Sequence, residues 1–307
     1  MTENSGRVDR SGRVDRVDRA FEESLRTEKH PDRNHPDVAD GVVFRQGVVF
    51  GSDEGRDLTA DVFSPEDIPS DPRPAIVFLH GGSWMHGGPS QFHFHSNLLA
   101  ERFGFFAASV DYRLSGEAQF PKALQDAKCA IRWVRSQAEE LNIDTERVCI
   151  SGGSAGGHLS SMVSTTAGVR EYEGESGHAD FGSHANLAVI YNGEFDMWDL
   201  IEKGSLIDAM NEFIGATSDE APEKYDELSS VQRVHPGVPP TLLLHGTEDL
   251  CVSHEQSIAY DEALKAQGVH SEVEIYQGKE HAWFNREPDR TVCYDRMERF
   301  VVEQFAL

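Results

Sequence analysis

From residue 41 onward, short apolar runs alternate with stretches of helical periodicity, and this alternation constrains the fold more than any other feature of the chain. The apolar runs predict strands over residues 42–50, 57–63, 75–80, 105–112, 147–151, 187–192, 241–246 and 271–277. The stretches between them predict helices over residues 90–102, 121–141, 155–167, 196–214, 254–267 and 288–305. Strands that alternate with helices of this length form crossover units. The sequence therefore predicts an α/β domain with a mostly parallel, eight-stranded sheet flanked by helices.

Composition divides the chain into two parts. Residues 1–40 are rich in charge and carry the hexapeptide SGRVDR twice in tandem, with few apolar side chains to bury. Such a segment does not offset its ordering entropy, so we expect a polar leader that is largely disordered or loosely docked. The α/β domain then occupies residues 41–307. Within it, residues 193–235 insert helices between strands and are a candidate partial lid.

Charge and composition exclude several classes of partner. The chain has 28 Lys and Arg against 53 Asp and Glu, so its formal net charge of −25 repels nucleic acid and anionic membranes. No segment reaches the roughly 18 uninterrupted apolar residues of a membrane span. The first twenty residues also lack the apolar core of a secretory signal. The four cysteines are too few for a disulfide framework, and we expect free thiols and a cytoplasmic location.

The segment CISGGSAGGHLSSM, at residues 149–162, carries the clearest chemical signal. It joins a predicted strand to a predicted helix through a turn that matches G-x-S-x-G, with Ser154 at its centre. A nucleophile on such a sharp turn needs small neighbours, and the helix N-terminus places N–H groups near a developing oxyanion. The pattern predicts Ser154 as a catalytic nucleophile and the amide of Ala155 as an oxyanion donor.

Other interpretations of the histidines and glycines are weaker. A phosphate-binding loop would need a Lys after its last glycine, and a dinucleotide site would need G-x-G-x-x-G after the first strand; this segment has neither. His158 lies four residues after Ser154, but a nucleophile on this turn points away from the helix, so we expect a structural histidine. His93 and His95 are two residues apart and lie on different helix faces, so no metal site is predicted.

Three further segments follow predicted strands and carry groups suited to catalysis. The loop HGGSW at residues 80–84 contains glycines that let backbone N–H groups approach a ligand closely, although it also reads as a simple tight turn. The acid pair in TED, at residues 247–249, lies just beyond a buried strand, where active sites of open α/β sheets gather. The loop EHAWF at residues 280–284 provides a histidine after the last strand.

These segments supply a candidate catalytic triad. The order Ser154, Asp249, His281 is the chain order of one known arrangement of serine, acid and histidine. In that arrangement His281 takes the proton of the Ser154 hydroxyl, and Asp249 holds the imidazole in the correct tautomer. Glu248 is the alternative acid, because spacing alone does not fix the geometry of the loop.

The motifs HGGSW, DYRL at 111–114, GGSAGGHL, LLLHGTED and EHAWF together resemble the α/β-hydrolase fold serine esterases in kind and order. More narrowly, they resemble hormone-sensitive-lipase-like carboxylesterases and the acetylxylan/feruloyl esterase-like group. The resemblance covers roughly residues 42–305. It implies hydrolysis of carboxylic esters through an acyl-enzyme, with no cofactor.

By matching position, the resemblance assigns the oxyanion hole to the backbone N–H groups of Gly82, Ser83 and Ala155. Two features depart from the hormone-sensitive-lipase-like pattern. Ser83 stands where those enzymes usually have the third glycine of H-G-G-G, which leaves the backbone donors but changes the loop. Residues 1–40 are too polar for the helical cap of those enzymes, so the segment 193–235 is the better candidate for a partial lid.

The predicted function is hydrolysis of small carboxylic esters with a short or aromatic acyl group. Trp84 and Trp283 are candidate substrate-binding side chains, although aromatic residues in such loops are as often simple packing. The expected partner is a small-molecule ester, without cofactor, metal ion, nucleic acid or membrane span, and homo-oligomerisation is left open. An arylformamidase-like amide hydrolase or a small peptidase is an alternative. A catalytically silent hydrolase-fold binding protein is an alternative of another class, against which the complete triad counts.

Overall fold

The computed structural model describes residues 36–307, and the predictions made for residues 1–35 lie outside this range. One sheet contains the strands β1 Val42–Asp53, β2 Arg56–Pro65, β3 Arg73–Leu79, β4 Phe106–Asp111, β5 Ile143–Gly153, β6 Leu187–Tyr191, β7 Thr241–Gly246 and β8 Ser271–Tyr276. The helices are α1 His93–Phe103, α2 Lys122–Ser136, α3 Ala138–Leu141, α4 Ala155–Thr165, α5 Met197–Lys203, α6 Ile207–Ile214, α7 Pro222–Leu228, α8 His254–Ala266 and α9 Asp289–Phe305. Within the described range, no helix combines the length and apolar character that a bilayer crossing requires.

The strand order is β1-β2-β4-β3-β5-β6-β7-β8. The pairs β1–β2 and β2–β4 are antiparallel, whereas every pair from β4–β3 to β7–β8 is parallel. This arrangement confirms the predicted fold class. Because the parallel strands run in one direction, the loops that follow β3, β5, β6, β7 and β8 meet at one edge of the sheet, where such folds bind their ligands.

Helices cover both faces of the parallel strands, which explains why β3 and β7 are mostly apolar. All residues of β3 and β7 are buried. On one face, α2 and α4 contribute side chains such as Leu124 and Met162 to a common core. On the other face, α1 and α9 contribute side chains such as Leu99 and Met297. Full burial of each such side chain contributes about 1.5–3 kcal/mol, so the two layers hold the strand ends rigidly in place.

Helix boundaries differ from the sequence prediction in the segment 193–235. The predicted helix 196–214 is two helices, since Gly204 ends α5 in the left-handed region with φ 69° and Leu206 precedes α6 with φ 53°. The sequence pattern also missed α7, which has only 7 residues. Met197 and Phe213 from this segment join the core beside α2 and α4. Its role as a lid stays a prediction.

Candidate active site

Ser154 occupies a strained turn between β5 and α4. Its backbone has φ 53° and ψ −128°, a conformation that costs a non-glycine residue about 1–3 kcal/mol. The flanking glycines are required by close approach of backbone atoms. A Cβ on Gly156 would lie 2.0 Å from the Leu79 carbonyl oxygen, and a Cβ on Gly152 would lie 2.4 Å from the Gly156 oxygen. The turn therefore packs directly on the end of β3 and projects Ser154 from the sheet edge.

The structure brings Ser154, Asp249 and His281 together. His281 Nε2 lies 3.0 Å from Ser154 Oγ, and His281 Nδ1 lies 2.7 Å from Asp249 Oδ2. Because Nδ1 donates to the carboxylate, Nε2 is left to accept the serine hydroxyl proton. The residues Ser154 and His281 are only 5% and 7% exposed. Glu248, the alternative acid, is exposed and does not occupy the position against His281.

The Asp249 carboxylate is held by donors from two elements. Its Oδ1 accepts the amides of Cys251 and Val252 at 2.9 and 2.8 Å, and His245 Nε2 lies 3.1 Å from Oδ2. Burial alone would raise the pKa of the Asp249 carboxyl, but the charge of His281 and the hydrogen bonds from His245 and His281 hold it well below its ordinary value. Asp249 is therefore a carboxylate at neutral pH. The sequence analysis missed His245, although it stands at the end of a predicted strand.

The loop that follows β3 lies against the nucleophile turn. A Cβ on Gly81 would lie 2.9 Å from the Gly153 carbonyl oxygen and 3.3 Å from the Ser154 Cβ, so the close approach to the backbone before Ser154 favours glycine here. The Gly81 amide donates to Gln91 Oε1 at 2.6 Å. The hydroxyl of Tyr112, in the DYRL motif, donates to the His80 carbonyl at 2.8 Å. These contacts fix the loop beside Ser154.

The predicted oxyanion donors lie in this loop and at the start of α4. Gly82 has φ 117° and Ser83 has φ 52°, so both residues adopt positive φ and turn the chain sharply. Ser83 accepts this conformation although glycine is the residue usually found there. Among residues 36–307, no acceptor is found for the amides of Gly82, Ser83 or Ala155. Their role as oxyanion donors stays a prediction.

Trp84 lies in the core rather than at a surface pocket. Its side chain is 0% exposed and stacks on Phe213 with a centroid separation of 4.8 Å. Its Nε1 donates to His158 Nδ1 at 3.2 Å, and His158 Nε2 donates to the Leu228 carbonyl at 3.0 Å. Burial lowers the pKa of His158 to about 4. His158 is thus a neutral structural histidine, as expected, and Trp84 does not fit the predicted substrate-binding role, because the core covers its whole side chain.

Trp283 lies in the loop after β8, two residues beyond His281. It is almost fully buried and packs against Tyr276 and Phe284. It also borders a surface cavity of about 260 Å³ lined by residues between 278 and 289. A substrate-binding role for Trp283 stays a prediction.

The loop after β6 supplies two polar side chains that the sequence analysis missed. Glu194 is 0% exposed, and its Oε1 accepts a hydrogen bond from Ser154 Oγ at 3.3 Å. Burial raises the pKa of Glu194 to about 7, against the opposing effect of His281. Asn192 Nδ2 lies 3.3 and 3.4 Å from the two ring nitrogens of His281. The signal was available, because the sequence YNGEFD follows a predicted strand at the active edge of the sheet.

Potential metal ligands in the described part of the chain cluster only within this same site. Ligand atoms of Asp249, Cys251 and His281 lie within 4.8 Å of one another. Asp249 and His281 are already hydrogen-bonded to each other, and His281 to Ser154. Asp249, His281 and Ser154 thus form a chain of hydrogen bonds suited to proton transfer.

The sheet topology, the strained serine turn and the hydrogen-bonded serine, histidine and aspartate define the chain as an α/β hydrolase with a serine nucleophile. A family model described as BD-FAE matches residues 60–264, and the chain belongs to this family. The predicted resemblance to α/β-hydrolase carboxylesterases is confirmed.

Individual relatives point to the same class. The chain is 32% identical to Esterase LipC of Mycobacterium tuberculosis over 73% of its own length and 56% of LipC, so it spans little more than half of that relative. It is similar to an esterase of Thermogutta terrifontis solved with propionate bound, with a TM-score of 0.72, 29% identity, and coverage of 89% of this chain and 96% of the other. The butyrate-bound structure of that esterase gives a TM-score of 0.73, 28% identity, and coverage of 89% and 95%. These relatives support a serine carboxylic ester hydrolase and do not favour the arylformamidase, peptidase or silent binding-protein alternatives.

Proposed function

We propose that this protein hydrolyses small carboxylic esters with short acyl groups through an acyl-enzyme on Ser154. The observation that carries the proposal is the continuous hydrogen-bonded chain from Ser154 through His281 to Asp249. Both contacts have the lengths of working hydrogen bonds in an unliganded hydrolase, and the carboxylate end is charged at neutral pH.

In the acylation step, Ser154 Oγ attacks the ester carbonyl carbon while its proton passes to His281 Nε2. The carbonyl oxygen becomes an oxyanion, and the amides of Gly82, Ser83 and Ala155 donate to it. The bond to the alcohol then breaks, and the alcohol leaves with the proton from His281. Asp249 stabilises the imidazolium throughout and remains ionised.

Deacylation repeats the sequence with water as the nucleophile. Water gives a proton to His281 and its oxygen to the acyl carbon, after which Ser154 leaves and recovers the proton. The products are a carboxylic acid and the free enzyme.

A short acyl group is the preferred substrate in this proposal. Ser154 is buried, with only 5% of the residue exposed, which favours small acyl groups over extended chains. The structural neighbour from Thermogutta terrifontis was solved with propionate and with butyrate, which are short carboxylates. We therefore propose that the enzyme prefers esters whose acyl group has the size of propionate or butyrate over esters with an aromatic acyl group.

The proposed location is the cytoplasm. The four cysteines, Cys129, Cys149, Cys251 and Cys293, are all buried and form no disulfide in the part of the chain that the structure describes, which suits a reducing compartment. The proposed partner is the small-molecule ester alone.

The test is the variant Ser154→Ala, assayed with p-nitrophenyl butyrate against Ser52→Ala as the matched control. Ser52 is exposed on β1, which lies four strands away from β5, the strand that leads into Ser154. We expect kcat to fall by about 10³-fold or more in Ser154→Ala and to stay unchanged in the control. Undiminished turnover in Ser154→Ala, or failure of the wild type to react with a fluorophosphonate probe, would contradict the proposal.

A further inference from the structure

We propose that Glu194 is a further catalytic residue, which holds the hydrolytic water against the acylated Ser154 during deacylation. The inference rests on the proposed ester hydrolysis and assigns a role within it that the triad does not cover.

Glu194 contacts the reacting atom directly, whereas the triad acid Asp249 contacts only His281. Its Oε1 accepts from Ser154 Oγ at 3.3 Å, while His281 Nε2 lies 3.0 Å from the same oxygen. The second carboxyl oxygen of Glu194, Oε2, is buried and has no hydrogen-bond partner among residues 36–307. Ser154 Oγ is therefore flanked by two acceptors, one of which has spare capacity.

The position of Glu194 is fixed by the backbone around it. The preceding Gly193 packs on the nucleophile helix, because a Cβ there would lie 2.8 Å from Ile190 and 3.3 Å from Gly157. The following amide, that of Phe195, donates to Gln256 Oε1 at 2.7 Å. The backbone on both sides of Glu194 is thus held in place, and the Glu194 side chain between them is fully buried.

Acylation removes the single hydroxyl hydrogen of Ser154, for which His281 Nε2 and Glu194 Oε1 compete as acceptors in the free enzyme. Once Ser154 Oγ carries an acyl group it has no hydrogen, so the buried Glu194 carboxyl loses its side-chain donor and keeps only the hydrogen bond from its own backbone amide. A buried polar group without a partner costs about 1–3 kcal/mol, and more when it is charged. A water molecule that donates to Glu194 relieves this cost, so the acyl-enzyme recruits water to the point where it is needed.

The geometry also orients that water. Its two hydrogens need two acceptors, and the groups flanking Oγ are His281 Nε2 and the Glu194 carboxyl. A water donating to both has an oxygen lone pair free to face the acyl carbon bonded to Oγ. The water proton on the histidine side transfers to Nε2 as its oxygen bonds to the acyl carbon. The bond from carbon to Oγ then breaks, and Ser154 takes the proton from His281.

Glu194 holds its hydrogen bond through this step and gains no net proton. Its ionised form is the better acceptor, and the titratable groups that face it are His281 and Asp249. The raised pKa of about 7 means that this form is populated in neutral and alkaline solution. The same carboxyl is not needed for acylation, because the Ser154 proton leaves to His281.

The experiment compares Glu194→Gln and Glu194→Leu with wild type and with Glu262→Gln, an exposed position on α8. The glutamine keeps the shape but is a weaker acceptor, and the leucine removes the acceptor. Stopped-flow release of p-nitrophenol from p-nitrophenyl butyrate measures acylation, and intact-protein mass spectrometry measures the butyryl-enzyme present at steady state. We expect acylation rates within about threefold of wild type. Deacylation should fall about 10-fold in the glutamine variant and about 100-fold in the leucine variant, so that butyryl-enzyme accumulates in that order.

Two results would overturn the proposal. Butyryl-enzyme that forms and turns over in both variants as in wild type would show that Glu194 does not act on water. Equal loss of acylation and deacylation, with no accumulation, would show a structural effect on the nucleophile turn. If the glutamine variant fails to fold, the acylation and deacylation rates of the leucine variant alone distinguish the same outcomes. Failure of the underlying function is distinguishable, since then the wild type itself would form no butyryl-enzyme.

Discussion

Replacing Glu194 with glutamine removes a carboxyl whose ionisation the folded protein opposes, and we expect the change to stabilise the fold in alkaline solution. Glu194 is fully buried, and burial raises its pKa from 4.5 to about 7, with partial compensation by His281. Glutamine has nearly the same shape and can still accept from Ser154. It carries no charge at any pH, so it avoids the cost that the carboxylate pays in the interior.

The sign of the effect follows from proton binding. Between pH 4.5 and about 7 the folded protein holds a proton on Glu194 that the unfolded chain has released, so stability falls as the pH rises through this window. Above that window the cost is constant. A rise of about 2.5 in pKa corresponds to about 3.5 kcal/mol, since each pKa unit is worth about 1.4 kcal/mol. Glu194→Gln should therefore match wild type near pH 4.5 and exceed its stability by about 3.5 kcal/mol at pH 8.5.

Urea denaturation at both pH values measures this difference, with Glu262→Gln as the control for a generic loss of negative charge. The control should stay within about 0.5 kcal/mol of wild type at each pH, as an exposed substitution does. A Glu194→Gln variant that is less stable than wild type at pH 8.5, or whose difference does not change with pH, would refute the reasoning. A confirmed gain would show that the protein gives up stability to keep a carboxyl beside Ser154.

Two further substitutions test the triad and the turn that presents the nucleophile. Asp249→Asn should lower kcat by about 10⁴-fold, because the amide favours the wrong tautomer of the His281 imidazole. Glu248→Gln should change kcat by less than about threefold. Steady-state assays with an aryl ester compare the two variants, and a larger loss in Glu248→Gln would assign the catalytic acid to Glu248. Gly156→Ala should cost about 3 kcal/mol or more, because its Cβ would lie 2.0 Å from the Leu79 carbonyl oxygen, whereas Gly116→Ala, with no atom within 4 Å, should be nearly neutral. Urea denaturation checks this pair, and equal stabilities would contradict the packing argument.

Much of the fold was predictable because strand and helix periodicities are local properties of the sequence. The apolar run at residues 75–79 of β3 and the sharp Gly-Gly-Ser turn before α4 both follow from neighbouring residues along the chain. The breaks at Gly204 and Leu206 were not predicted, because the surrounding apolar pattern continues through them. A short element such as α7 carries too few turns for its periodicity to stand out.

The sequence by itself determined which segments form strands and helices, because their periodicities are local. It also identified the candidate nucleophile Ser154, base His281 and acid Asp249, because each of these residues stands in a motif with its own local signature. Only the tertiary structure decided which side chains meet across elements. It placed Glu194 against the nucleophile, although 40 residues separate them. It also buried Trp84 against Phe213 instead of leaving it at a pocket. Such contacts depend on the packing of loops from different strands at one sheet edge, and no local pattern encodes that packing.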